Sequence, residues 1–149
     1  MTARVCFEVR LNVAAPAERL WAALSDWRGH GEWIPATRIE WLTGDGAVGS
    51  RFIAHTGFRP LVLADAMTVT ARDEATFSAA VEKTGAAIQG RAGFSVAPAG
   101  DSCQLLWWED LTVPLAPAWS APLQAAVGKR LFALSIRRLA RRLDRMNQG

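Results

Sequence analysis

Apolar and polar residues alternate with a period of two through most of the chain, and the pattern changes to a helical period in two places. Val5, Phe7, Val9, Leu11 and Val13 alternate with Cys6, Glu8, Arg10 and Asn12, which predicts a strand with one wet face. Pro16 then suits the first turn of a helix, and Ala17 to Leu24 is rich in helix formers, with Leu20, Trp21 and Leu24 on one face. Ser25 to Trp27 ends that helix, and Arg28 to Ile34, with Gly29 and Gly31, predicts a loop or a single helical turn before Pro35.

From Thr37 the period of two returns. It predicts strands near Thr37 to Thr43, Ser50 to Thr56, Leu61 to Asp73, Thr76 to Lys83, Ala86 to Ala97 and Ser102 to Val113. Turn formers separate them: Gly44-Asp45-Gly46, Gly57, Asp73-Glu74, Thr84-Gly85 and Pro98 to Asp101. Connections this short require antiparallel pairing. Beyond Pro114, Pro117 and Pro122 a helix is expected from about Trp119 or Ala121 to Met146. Ala125, Gly128, Phe132, Ile136, Leu139, Leu143 and Met146 fall on its inner face, and Arg130, Arg137, Arg138, Arg141 and Arg145 fall opposite. Leu123, Val127 and Leu134 make its first half apolar almost all round.

A meander of six strands buries its apolar face only by curling around something. The terminal helix is long enough, since about 25 residues at about 1.5 Å each span nearly 40 Å. The expected architecture is therefore α+β, a curved antiparallel sheet of about seven strands in the order β-α-α-β6-α, wrapped around a long C-terminal helix.

Length and composition fit one domain over residues 1–149, with 50% hydrophobic residues and seven Trp, which excludes a disordered chain. The net charge is only +3, but Lys129 to Arg145 holds seven basic residues against one acid, leaving the rest of the chain at −3. That split argues against a generally basic DNA-binding domain. Cys6 and Cys103 show neither ligand spacing nor a disulfide framework, and both read as small core residues. No metal site is expected. A basic leader and an apolar run of spanning length are both lacking, which predicts a cytoplasmic protein.

Polar positions orient each strand. Taking Arg38, Glu40, Arg51, His55, Thr68, Thr70, Gln89, Arg91 and Ser95 as outward leaves Ile39, Trp41, Phe52, Ala54, Leu63, Met67, Val69, Phe77, Val81, Ala92, Phe94 and Val96 inward. Small residues at Ala54, Gly90 and Ala92 leave space beneath the helix, as a ligand cavity requires, the alternative being an ordinary filled core. The expected ligand contacts are Trp33, Trp41, Phe52, Met67, Phe77, Ala92, Phe94, Trp107, Phe132 and Ile136. Asp65 and Glu109 also face inward. Burial of a carboxyl raises its pKa and makes it a proton donor or acceptor; the structural alternatives are backbone hydrogen bonds for Asp65 and an arginine partner for Glu109. His30 and His55 lack partner motifs and are expected at the surface, with His55 reaching a pocket only if its strand shifts by one residue.

The Ala-Pro-Ala-Glu-Arg-Leu-Trp run at Ala15 to Trp21, Asp26-Trp27 with Trp33, Gly46 to Arg51, Gly90 to Val96 and Leu106-Trp107-Trp108-Glu109 come in an order that resembles the helix-grip superfamily. That superfamily includes START domains, birch-pollen-type allergens and polyketide cyclases. The likeness spans nearly the whole chain and is greatest to the bacterial polyketide cyclase/dehydrase-like branch. The resemblance implies a cavity between sheet and helix that holds a lipid, an isoprenoid or an aromatic polyketide-like compound, without a cofactor or covalent chemistry. An enzymatic alternative is a cyclase, aromatase or dehydratase using Glu109, with Asp65 and His55 as secondary groups. The cyclases of this branch commonly place Tyr, Arg and Ser in the cavity, whereas this chain has no Tyr and strand parity turns Arg91 outward, which favours binding. A third reading, as in toxin-antitoxin-like or ribosome-directed relatives, sets Arg137, Arg138 and Arg141 against RNA or an anionic membrane; the structural alternative is a solvated helix face.

Overall fold

The computed structural model describes residues 2–148. The elements in chain order are β1 (Ala3–Val13), α1 (Ala17–Leu24), a 3-10 turn at Trp27–Gly29, α2 (His30–Trp33), β2 (Thr37–Thr43), β3 (Arg51–Phe58), β4 (Leu61–Asp73), β5 (Ser78–Thr84), β6 (Gln89–Ala99), β7 (Ser102–Val113), a second 3-10 turn at Ala118–Ser120, and α3 (Ala121–Asn147). All seven strands form one antiparallel sheet in the order β1-β7-β6-β5-β4-β3-β2. The six-strand meander thus lies in sequence order, and β1 closes onto β7 with Ala3 opposite Val113 and Val13 opposite Cys103.

Local chemistry sets the boundaries. Pro16 precedes α1, and its carbonyl accepts the amides of Arg19 and Leu20. The hydroxyl of Ser25 donates to the Trp21 carbonyl where that helix ends. β5 starts at Ser78, two residues later than its alternation suggests, because Phe77 holds a left-handed backbone with φ of 50°. Register shifts between Trp41 and Thr43 and between Val69 and Ala71 bend the sheet on the side that curls.

The core lies between the concave face of the sheet and the helices. Leu20, Trp21 and Leu24 of α1 and Ile136, Leu139 and Leu143 of α3 are buried in it together with Val9, Val69 and Leu105. Arg142 of α3 donates to the Glu32 carbonyl and pairs with its carboxylate at 3.0 Å, tying the two helices together. At Gly128 the helix lies directly on Phe7, since a β-carbon there would stand 2.7 Å from the ring. Arg142 thus seats the C-terminal half of α3, and Gly128 brings its N-terminal half onto β1. That N-terminal half still leaves Leu123 and Val127 exposed.

Three sequence expectations are corrected. Cys6 is exposed, 3.1 Å from Asp110 Oδ1, because it shares the wet face of β1 with Glu8 and Arg10; Cys103 is buried. Met146 is exposed near the end of α3, one turn beyond the buried Leu143. Gly90 is a backbone requirement rather than a spacer: its φ is +125°, and a β-carbon would collide with the Asp110 carbonyl oxygen of β7.

Candidate functional site

A cavity of about 430 Å³ lies between the sheet and α3. Of the ten expected contacts, Phe52, Met67, Ala92, Phe94, Trp107 and Phe132 line it. Phe94 stacks on Trp107 with centroids 5.5 Å apart, and Trp107 on Phe132 at 4.7 Å, forming a continuous aromatic wall. The other four stand behind that wall. Trp33 meets Trp107 edge-on, Trp41 stacks on Phe52, Phe77 stacks on Trp21, and Ile136 is wholly buried under α3. Parity assigns a side chain to a face but not to a depth, so it does not separate the wall from the layer supporting it. Leu63, Leu123 and Val127 line the cavity and are also exposed, which places its mouth between β4 and the first turns of α3.

The lining is mostly apolar, with Thr37, Thr56, Gln124 and His30 as scattered polar members and a single charged cluster. Lys83 on β5, Asp65 on β4 and Glu109 on β7 are 7%, 9% and 4% exposed. Lys83 Nζ donates to Asp65 Oδ2 at 2.6 Å and lies 3.0 Å from Glu109 Oε1. Register explains the meeting: on β6, Gly90 is paired with Lys83 and Ala92 with Glu109, so nothing larger than a methyl group separates the two charges across that strand. Both carboxylates therefore find Lys83, rather than the backbone or arginine partners expected for them.

The electrostatics of the cluster are uneven. Burial pushes the Glu109 carboxyl above the ordinary glutamate range, against the pull of Lys83. Burial alone would lower the Lys83 ammonium, but Glu109 and Asp65 outweigh it and hold its pKa above the usual lysine value. With both acids ionised the cluster carries one excess negative charge. Glu109 Oε1 has the Lys83 ammonium, 3.0 Å away, as its partner, and Asp65 Oδ1 accepts no hydrogen bond. The buried indole N–H of Trp107 is likewise without an acceptor.

Of the two histidines, both expected at the surface, one is found inside. His30 is buried and lines the cavity, where its Nε2–H donates to the Leu24 carbonyl at 2.7 Å; burial lowers its pKa to about 4, so the ring is neutral. The α2 turn carries it inward between Trp27 and Trp33. His55 faces outward, 3.0 Å from Glu40 Oε2, because strand alternation holds and β3 is not shifted; it does not line the cavity. Lys83 is the residue that sequence reasoning passed over. Its signal was parity with Val81, two positions earlier. Arg137, Arg138 and Arg141 lie exposed on the outer side of α3.

An antiparallel sheet closed around one long C-terminal helix, with an apolar cavity between them, defines the helix-grip class. Within it, the chain belongs to the family described as polyketide cyclase/dehydrase and lipid transport, whose model matches residues 4–144. Among solved structures, a START superfamily protein from Mycobacterium smegmatis superimposes with a TM-score of 0.79 at 19% identity, over 95% of this chain and 98% of that one. The Zhui aromatase/cyclase from Streptomyces sp. R1128 superimposes with a TM-score of 0.78 at 18% identity, over 95% and 94%. A major latex-like protein from Panax ginseng gives 0.71 at 13% identity, over 93% and 97%. No curated protein matches by sequence. Among the described residues no helix is long and apolar enough to cross a membrane.

Proposed function

We propose that the protein binds a hydrophobic small molecule, such as a lipid, an isoprenoid or an aromatic polyketide-like compound, between sheet and α3, and holds or carries it without covalent chemistry. The cavity itself carries this reading. Its 430 Å³ falls within the range of roughly 300–1,000 Å³ usual for small-molecule sites. An unfilled space of that size in an otherwise close-packed core weakens the fold, and a ligand restores the lost contacts. The exposed apolar residues at the mouth give such a ligand a route in that meets no charge.

Native mass spectrometry of protein purified from its own host is expected to show a bound apolar mass. Ala92→Phe, which places a ring on the cavity wall, should abolish that mass and the binding of a neutral apolar fluorophore while the protein stays folded. Absence of any ligand, with fluorophore binding indifferent to Ala92→Phe, would remove the reading.

The position of Glu109 supports a second reading, in which a carboxyl whose pKa burial has raised protonates or deprotonates a carbonyl-bearing chain lying along the aromatic wall. On a poly-β-keto substrate, Glu109→Gln is then expected to lower kcat by about 100-fold or more. Unchanged turnover would take Glu109 out of the chemistry.

A further inference from the structure

The charge cluster is out of balance in a way that describes what it is built to meet. Two buried carboxylates share a single ammonium, which stands 2.6 Å from Asp65 Oδ2 and 3.0 Å from Glu109 Oε1, and Asp65 Oδ1 is left without a partner. Nothing else nearby corrects the deficit. Opposite Glu109, β1 presents Phe7 and β6 presents Ala92, while α3 lines the cavity with Gln124, Gly128 and Phe132, all uncharged. His30 is the one other ionisable side chain among the described residues lining the cavity, and it is neutral and already bonded to Leu24. The chamber, whose other polar lining residues are Thr37, Thr56, Gln124 and His30, thus ends in a site with two carboxylates to one ammonium and a buried Asp65 Oδ1 that lacks a donor.

We infer that the molecule held in this cavity is an apolar amine, its protonated nitrogen seated against Asp65 and Glu109 and its hydrocarbon or aromatic body along the Phe94–Trp107–Phe132 wall. This rests on the ligand-binding reading above and gives that ligand its polar end. An ammonium supplies both missing quantities, since it brings one positive charge and three N–H donors. A hydroxyl supplies a donor and leaves the charge uncompensated. A carboxylate adds a second excess charge and is rejected. Burial works against the charged form of Glu109, and an ammonium seated beside it works the other way, so binding exchanges any proton that the carboxyl holds for the bound cation, with that proton going to solvent.

Titration calorimetry with decylamine, 1-decanol and decanoate separates the possibilities, because the three share one hydrocarbon chain. Decylamine is expected to bind about tenfold or more tightly than 1-decanol at pH 7, with decanoate weakest. Below the pH at which Glu109 ionises, decylamine binding should release a proton, seen as a heat that varies with the ionisation enthalpy of the buffer, and its affinity should rise with pH through that titration while the amine stays charged. Glu109→Gln and Asp65→Asn should each lower decylamine affinity about tenfold and 1-decanol affinity by much less, so that the preference for the amine shrinks, with cooperative melting transitions showing that the fold persists. Equal binding of amine and alcohol to the wild type, or a preference that survives both substitutions, overturns the amine assignment and leaves the cavity reading standing. Failure of all three compounds to bind overturns both.

Discussion

Lys83→Met is expected to lower folding stability by about 3–5 kcal/mol near pH 7, because it leaves two carboxylates buried without a cation. Methionine keeps the length of the aliphatic stem, so lost packing is a small part of the effect. The sign of its pH dependence follows from the remaining acids. In the variant Glu109 loses the ammonium that opposed burial, so its folded pKa rises further above the unfolded value. A group of that kind stabilises the fold below its unfolded pKa and loses the contribution as pH rises through the folded one. The deficit should therefore be smallest near pH 4–5 and largest above neutrality. In the wild type the raised pKa of Lys83 keeps its contribution present up to and beyond the ordinary lysine range, so the lysine itself adds no slope between pH 5 and 9. Urea unfolding at several pH values measures this, and adding Asp65→Asn and Glu109→Gln to Lys83→Met should return most of the loss. A small deficit that does not vary with pH would contradict the charge state described for the cluster.

His30 sets the acid limit in the opposite sense. Its pKa falls from 6.5 to about 4 on folding, through burial above all, with the Leu24 hydrogen bond working against the shift. A group with a depressed folded pKa contributes stability that is present above its unfolded pKa and lost as pH falls toward the folded one. Between pH 6.5 and about 4 the protein should lose on the order of 3 kcal/mol from this residue. His30→Gln keeps a donor for the Leu24 carbonyl and removes the titration. Thermal unfolding followed from pH 7 to 4 should show the wild type losing stability more steeply than His30→Gln. Because the raised carboxyl of Glu109 contributes with opposite sign, the difference between the two proteins is the informative quantity, and identical profiles would rule out a buried neutral His30.

The sheet and α3 were legible because each side chain on a strand or a surface helix faces either water or core, and alternation records that choice residue by residue. The strands of the meander begin and end within a few residues of where their turn formers place them, and Asp65 and Glu109 were correctly turned inward. What connects them was harder to read. Lys83 is the last inward position of β5, and a lysine at a strand end suggests a rim; only the register across β6, set by hydrogen bonds between strands distant in the chain, brings it under both carboxylates. His30 escaped for a different reason. It lies in a Gly-flanked segment with no alternation to follow, and its burial is decided by Trp27 and Trp33 closing on either side of it. Cys6 is a case where the residue type suggested burial and the pattern was the better guide.

The pairing of β1 with β7 has a consequence for how the protein is made. β1 leaves the ribosome well before its partner and acquires that neighbour only when Ser102 to Val113 has been synthesised, about 5–20 s later at ordinary elongation rates. Through that interval Val5, Phe7, Val9, Leu11 and Val13 form an unpartnered sticky edge on the nascent chain. Because the pairing is so distant in sequence, it cannot nucleate early. Translation stalled before β7 should therefore yield aggregating fragments, and the holding of nascent chains by chaperones should concentrate on those that end short of it.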